Sequence, residues 1–195
     1  MYTTHSGIGT DTTLGILAGG RATRLGGIDK AWLQRGGIPQ VVRIAQRFAE
    51  EVDATLVSAN RNLERHAEHG LVAVADTMAK AGPIGGLDAL ARACRTTWLL
   101  TVPVDVIGVN ECLLQTLRAH AGGQGAFAFD DDGPQPLVAL WRVAPLPSAL
   151  SSAVAVGDCS MQGLQQRLGM HPVRFAGVRF GNLNTPADLL AAGLE

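Results

Sequence analysis

The strongest constraint on the fold is a repeated succession of short apolar runs and longer helical stretches. Thr12-Thr13-Leu14-Gly15-Ile16-Leu17 is uncharged and opens into a glycine-rich segment, the pattern of a buried strand that delivers a loop. From Pro39, the residues Val41, Val42, Ile44, Ala45 and Phe48 recur at helical spacing with Arg43, Gln46 and Arg47 between them, so a helix follows. Ala54 to Ser58 repeats the strand pattern, Leu63 to His69 reads as a polar helix, and Leu71 to Ala75 as a further strand ending at Asp76. Ile84, Leu87, Leu90, Ala91 and Cys94 form an apolar helical face ahead of the strand Thr97 to Val102, with Asp105 just beyond it. Parallel strands need crossover helices, and right-handed crossovers place those helices on the faces, so the succession predicts an α/β chain with a mostly parallel sheet covered on both sides. Ala126 to Phe129 and Leu137 to Trp141, around the turn Asp130 to Pro134, read as a hairpin or a pair of edge strands, which makes the sheet mixed.

Composition agrees with a folded domain and narrows its partners. Of 195 residues, 47% are hydrophobic and 17% charged, enough to bury a core. Sixteen Lys and Arg against seventeen Asp and Glu give a net charge of -1, so no global basic field draws in nucleic acid or an anionic membrane, and any anion site is local. No apolar run reaches the roughly 18 residues of a membrane span. The longest, Trp98 to Val109, is interrupted by Asp105. Residues 1–11 read as a flexible lead-in without the pattern of a secretory signal, and 12–195 as one domain. Cys94, Cys112 and Cys159 are far apart and odd in number, which fits neither a disulfide framework nor a zinc site and makes the cytoplasm the expected compartment.

In such a sheet ligands gather at the strand C-termini, where Gly19, Asp76 and Asp105 all fall. The segment from Leu17 to Lys30 holds four glycines and the cations Arg21, Arg24 and Lys30. Glycines let backbone N–H groups approach phosphate oxygens, and Arg24 and Lys30 can neutralise charge that spreads during transfer, so the segment suits a polyphosphate. It is not a P-loop, because no Gly-Lys-Ser/Thr ends it, and it lacks the Gly-x-Gly-x-x-Gly of dinucleotide folds. Other polar residues have simpler structural readings. Asp76 would cap a strand end or turn, and a carboxylate such as Asp105 after a wholly apolar strand needs a partner. Asp130, Asp131 and Asp132 read as a solvated turn, and His66 and His69 as exposed neighbours on one helical face. Thr185 reads as a helix N-cap with Pro186 at the first helical position and Asp188 in the first turn, so Asn184 would orient a helix start.

The loop resembles the nucleotide-binding signature of the molybdenum cofactor guanylyltransferases, members of the sugar-nucleotidyltransferase-like superfamily. That pattern is Leu-Ala-Gly-Gly, three residues, Arg, an apolar residue, Gly-Gly, one residue, Asp-Lys, and the chain matches it without a gap from Leu17 to Lys30. The similarity continues through Ser58-Ala59-Asn60-Arg61, Asp76, Ala81-Gly82-Pro83-Ile84-Gly85-Gly86, Pro103-Val104-Asp105 and Asn182-Leu183-Asn184-Thr185-Pro186. The resemblance implies a single Rossmann-like, three-layer domain that transfers GMP from GTP to the terminal phosphate of Mo-molybdopterin and releases pyrophosphate. It implies that Leu17, Ala18, Gly19 and Gly20 hold the nucleotide through the backbone and that Arg24 and Lys30 bind its phosphates. Asn60 and Asp76 would recognise the nucleoside end, and Asp105 would ligate Mg²⁺. A monomer is expected, with molybdenum cofactor biosynthesis or delivery proteins as partners. Three features depart from the family. Val106-Ile107-Gly108-Val109 follows Asp105 where relatives often have Thr or Met, Pro and an aromatic. Only Arg167 lies near Gly157 to Gln162, where relatives carry adjacent arginines, and the turn Asp132 to Leu137 lacks a frequent His. Gly19-Gly20 and the run Gly26 to Lys30 favour guanine by resemblance, though the physics serves either base. The alternatives are a cytidylyltransferase or another nucleotidyltransferase acting on a phosphorylated acceptor, and, from another class, a non-catalytic nucleotide- or cofactor-binding delivery protein.

Overall fold

The computed structural model of the chain describes residues 10–19, 27–76, 78, 81–109 and 111–194. Residues 1–9 of the expected lead-in 1–11, and Gly20 and Arg24 among the expected site residues, lie outside them. A sheet of seven strands runs through the molecule. Its first four members are parallel: β1 (Thr12–Leu17) lies between β4 (Ala54–Ser58) and β6 (Trp98–Pro103), and β5 (Val72–Val74) pairs with the far side of β4. The remainder is mixed: β8 (Gly133–Arg142) is antiparallel to β6 and to β7 (Gly125–Asp130), while β9 (His171–Arg174) pairs parallel with β7. The spatial order is β5-β4-β1-β6-β8-β7-β9, and a two-stranded ribbon, β2 (Gln34–Arg35) with β3 (Ile38–Pro39), stands apart.

Alternation along the strands separates two cores. Leu14, Ile16, Val57, Leu100, Val102 and Leu140 pack with Val41, Ile44 and Phe48 of α1 (Gln40–Phe48) and with Leu113 and Leu117 of α4 (Leu113–His120). On the other face Leu56, Leu99, Ala139 and Trp141 pack with α3 (Pro83–Ala93), α5 (Leu146–Ala155) and α6 (Met161–Leu168). The result is the expected three-layer α/β arrangement. Gly15 lets α3 come close to β1: a Cβ there would stand 2.9 Å from Leu90 Cδ1 and 3.0 Å from Leu99 Cδ1. The indole N–H of fully buried Trp141 donates to Thr101 Oγ1 at 2.8 Å, so this large core side chain leaves no polar atom unpaired.

Three expectations change. The hairpin around Asp130 is present, but neither of its strands is an edge, because β9 lies outside β7 and β6 outside β8. Asp130 is not part of a solvated turn. It is fully buried and accepts from Phe180 N at 2.7 Å, Asp132 N at 2.9 Å and Gln135 Nε2 at 3.2 Å. Burial pushes its carboxyl up, but the N–H groups of Phe180, Gln135, Asp132 and Gly133 together outweigh that and hold it below the ordinary carboxylate range. His66, in α2 (Leu63–Glu68), is buried against Trp32, while His69 is exposed as expected. Cys94 belongs to the core, as its spacing predicts.

Replacing Asp130 by alanine orphans the Phe180 N–H and is expected to destabilise the chain by about 1–3 kcal/mol in guanidinium unfolding. The sign with pH follows from the lowered carboxyl. Its contribution is present above the unfolded value, near pH 4, and is lost as pH falls through the folded one, so variant and parent converge in acid.

Candidate active site

Parallel pairing brings the C-terminal ends of β1, β4, β5 and β6 to one edge of the sheet. Main-chain bonds extend that alignment past the strands: Ala18 N donates to Ser58 O, Ala59 N to Val74 O and Val104 N to Leu17 O, at 2.9 to 3.0 Å. The residues following each strand therefore leave from a common line. They are Ala18 and Gly19 after β1, Asn60 and Arg61 after β4, Asp76 after β5 and Asp105 after β6.

Asn60 and Asp76 form a reciprocal pair. Asn60 Nδ2 donates to Asp76 Oδ2 and Asp76 N donates to Asn60 Oδ1, both at 2.9 Å, while Ser58 Oγ donates to Asp76 Oδ1 at 2.9 Å. These bonds make Asp76 more than a turn cap, because they fix its carboxylate beside Gly19. A Cβ on Gly19 would lie 3.5 Å from Asn60 Nδ2 and 3.6 Å from Asp76 Oδ2, so the glycine leaves open a small cradle roofing the pair. A cleft runs from here past Ile28 and Asp29 to Arg61 and His66.

The second group centres on Lys30. Asp29 caps a short 3₁₀ turn, Lys30–Trp32, by accepting from Ala31 N, and it also accepts from Asn62 Nδ2 at 2.9 Å. The turn sends Lys30 Nζ to Asp105 Oδ2 at 2.8 Å and to Asn184 Oδ1 at 3.1 Å. Lys30 is thus the partner that Asp105 requires after its apolar strand. Both side chains are largely shielded, 14% and 24% exposed, so the attraction acts in a medium well below the dielectric of water.

Asn184 arrives from the far end of the chain. Val106 bridges Asn182, Ile107 N donates to Gly181 O and Leu183 N to Asp105 O, both at 2.9 Å. Thr185 and Asp188 form a reciprocal capping box at the start of α7 (Pro186–Ala191), as the sequence predicts. The helix start therefore holds the backbone of Asn184, but its side chain does a second job by meeting Lys30. Sequence reading missed that contact because 154 positions separate the two residues. The departure after Asp105 also finds its place: Val106 is buried, and its carbonyl accepts from Gln40 Nε2 at 3.2 Å.

Asp105 and Asn184 offer two hard oxygens within 3.1 Å of one point, the Lys30 ammonium. Among the described residues no set of three or more His, Cys, Asp or Glu side chains could cage a metal. A carboxylate and an amide oxygen without a full cage suit a divalent ion that completes its shell with water and substrate oxygens. No helix among the described residues is long and apolar enough to cross a membrane.

The architecture first defines a class. Over 93% of this chain and 96% of the other, it superposes on an Archaeoglobus fulgidus molybdopterin-guanine dinucleotide biosynthesis protein A, with TM-score 0.71 at 21% identity. It also superposes on a Thermus thermophilus 2-C-methyl-D-erythritol 4-phosphate cytidylyltransferase, with TM-score 0.65 at 18% identity, over 92% and 96% of the two chains. The fold is that of the α/β nucleotidyltransferases. Residues 14–169 match the MobA-like NTP transferase domain, and the chain belongs to that family. It is 36% identical over 179 residues to a molybdenum cofactor guanylyltransferase of Serratia proteamaculans, covering 90% of each. To one from Yersinia pseudotuberculosis it is 32% identical over 177 residues, 89% of this chain and 90% of the relative.

Proposed function

We propose that this NTP transferase moves GMP from GTP to the terminal phosphate of Mo-molybdopterin, forming the guanine dinucleotide cofactor and releasing pyrophosphate. The observation that carries the reading is the junction of Lys30, Asp105 and Asn184 at the sheet edge of a chain 36% identical to a named guanylyltransferase. In the transfer an oxygen of the acceptor phosphate forms a bond to the α-phosphorus of GTP, and the bond from that phosphorus to the bridging oxygen breaks. The electron pair leaves with pyrophosphate. The attacking oxygen is already anionic near neutral pH, so no protein base is needed and the rate depends on positioning and charge neutralisation.

Each residue then has a task. Leu17, Ala18 and Gly19, continued by Gly20, present backbone groups to the nucleotide, and Asn60 with Asp76 receives its nucleoside end. Arg24 and Lys30 donate to the phosphates. Before nucleotide arrives, the Lys30 ammonium neutralises Asp105. Asp105 and Asn184 would hold Mg²⁺, which when bound supplies charge neutralisation on phosphate oxygens. The setting is expected to be cytoplasmic, with the chain acting as a monomer beside molybdenum cofactor biosynthesis or delivery proteins.

The decisive experiment supplies molybdopterin, Mg²⁺ and each of four labelled nucleotides to the purified protein. Label transferred from GTP is expected. Transfer from CTP alone would make the chain a cytidylyltransferase, and binding without transfer would make it a delivery protein. Thermal unfolding gives a second check, because a ligand that binds only the native state raises the melting temperature through ln(1 + [L]/Kd). GTP is expected to raise it more than CTP or ATP, and equal shifts would remove the guanine assignment.

Gly19→Ala tests the cradle. Its added methyl makes only ordinary contacts at 3.5 and 3.6 Å, so the unliganded melting temperature should stay unchanged. The methyl occupies space over the Asn60–Asp76 pair, and GTP binding should weaken about tenfold, the effect of roughly 1.4 kcal/mol. Unaltered affinity in a calorimetric titration would move the nucleoside away from Gly19.

A further inference from the structure

One wall of the cleft at the ends of β1 and β4 comes from α2, and it holds an imidazole that the transfer scheme leaves without a task. His66 is 1% exposed, and its Nδ1 is buried with no hydrogen-bond partner. The ring is held firmly. Its centroid lies 4.8 Å from that of Trp32 at a tilt of 45°, and the guanidinium of Arg65 covers Trp32 at 4.1 Å. The main chain of the residue is fixed too, with His66 N donating to Asn62 O. Yet His66 is among the residues that line the cleft, alongside Gly19, Asp29, Asn60 and Arg61.

A buried polar atom without a partner lowers stability, and a phenylalanine would stack on Trp32 without that cost. A histidine held in this condition at the wall of a ligand cleft recovers the loss when a ligand supplies the missing bond. Burial holds the imidazole pKa below its ordinary value, against the opposing pull of Asp29, so the ring is neutral at pH 7. A neutral ring offers one N–H and one lone pair, and no bond to Nδ1 fixes which nitrogen carries the proton. It therefore matches a hydroxyl, which both donates and accepts, better than a phosphate, which calls for cations. Position along the cleft agrees. His66 shares the cleft with Gly19, beside the nucleoside-binding pair, and with Asp29, which adjoins the phosphate-binding Lys30. In a nucleotide the sugar lies between the base and the phosphates, the two ends that these residues flank.

We propose that His66 recognises the sugar, its imidazole hydrogen-bonding a ribose hydroxyl of the bound nucleoside triphosphate. The inference rests on the nucleotide reading above and adds a selection for ribo- over deoxyribonucleotides.

The test compares wild type with His66→Phe, which keeps a ring against Trp32 and removes both nitrogens. Calorimetric titration uses GTP, 2′-deoxyGTP and 3′-deoxyGTP, and thermal unfolding is followed without nucleotide. Wild type is expected to bind GTP about tenfold more tightly than at least one deoxy analogue, a difference of roughly 1.4 kcal/mol. In His66→Phe the preference should vanish through weaker GTP binding, while the unliganded melting temperature holds or rises. A merely structural histidine would give the opposite pattern, a lower melting temperature with discrimination intact, and that outcome overturns the proposal. So does a wild type that binds GTP and both analogues equally. A wild type that binds no GTP fails the nucleotide reading itself, and the sugar assignment falls with it. Should His66→Phe not fold, His66→Gln against His66→Leu makes the same comparison, with discrimination expected only in the variant that keeps a hydrogen-bonding side chain.

Discussion

Lys30→Ala is expected to lower GMP transfer by on the order of 10²-fold or more, because it removes a preorganised charge from the phosphates as their charge redistributes. Preorganisation is visible before any ligand arrives. The Asp29-capped turn and the bonds to Asp105 and Asn184 hold the ammonium at the sheet edge, 14% exposed, so little reorientation remains for the moment of reaction. The same contacts limit the damage to folding. A partly exposed pair contributes about 1 kcal/mol or less, so the variant should remain folded at 25 °C. Turnover is compared at saturating GTP, after circular dichroism has verified the fold. Wild-type turnover there would show that Lys30 only counterbalances Asp105 and would remove it from the phosphate site.

The parallel half of the fold was legible because each strand there is a short apolar run followed by a helix. β1, β4, β5 and β6 fall within a residue or two of where the pattern places them. Legibility falls after residue 110. In α5, serines and alanines blur the helical stripe. β9, His171–Arg174, is four residues long and carries Pro172, a poor strand residue tolerated here at the sheet edge. Side-chain burial was harder still. Asp130 sits in a run of three aspartates that reads as solvated, and the arrival of Phe180 N from 50 positions away, joining the local donors Asp132 N and Gln135 Nε2, is not visible in that run. His66 lies in a polar helix, and its burial depends on Trp32, which the Asp29 turn brings in from a distant part of the chain. Within the site, the strand-end positions of Gly19, Asp76 and Asp105 followed from topology. The pairing of Asn60 with Asp76, and of Lys30 with both Asp105 and Asn184, required loops from five parts of the chain to meet. Nothing in local composition specifies such meetings.

Asp105→Asn separates a metal ligand from a mere counter-ion. The substitution keeps the shape of the side chain and an oxygen that can accept from Lys30, but removes the charge. As a metal ligand, Asp105 provides the best hard oxygen at the site, with Asn184 as a weaker second. Transfer should then fall by about 10²-fold or more, equivalent to several kcal/mol of lost charge stabilisation. The half-saturating Mg²⁺ concentration should rise as well. The metal-free fold responds differently. Sequence alone implies that an ionised carboxylate beside an apolar strand is uncompensated, so that neutralising it would leave stability unchanged or raised. Lys30 at 2.8 Å alters that balance, because the carboxylate already has a cation and the asparagine gives up their attraction. A loss of about 1 kcal/mol or less in metal-free unfolding is therefore expected, with no gain. If Asp105 served only to hold Lys30, stability would fall while the Mg²⁺ dependence of the rate stayed that of wild type. Unfolding without metal, set beside turnover across a Mg²⁺ titration of both proteins, distinguishes the two. An unshifted titration curve would overturn the metal assignment, because a lost ligand must weaken the site it helped to form.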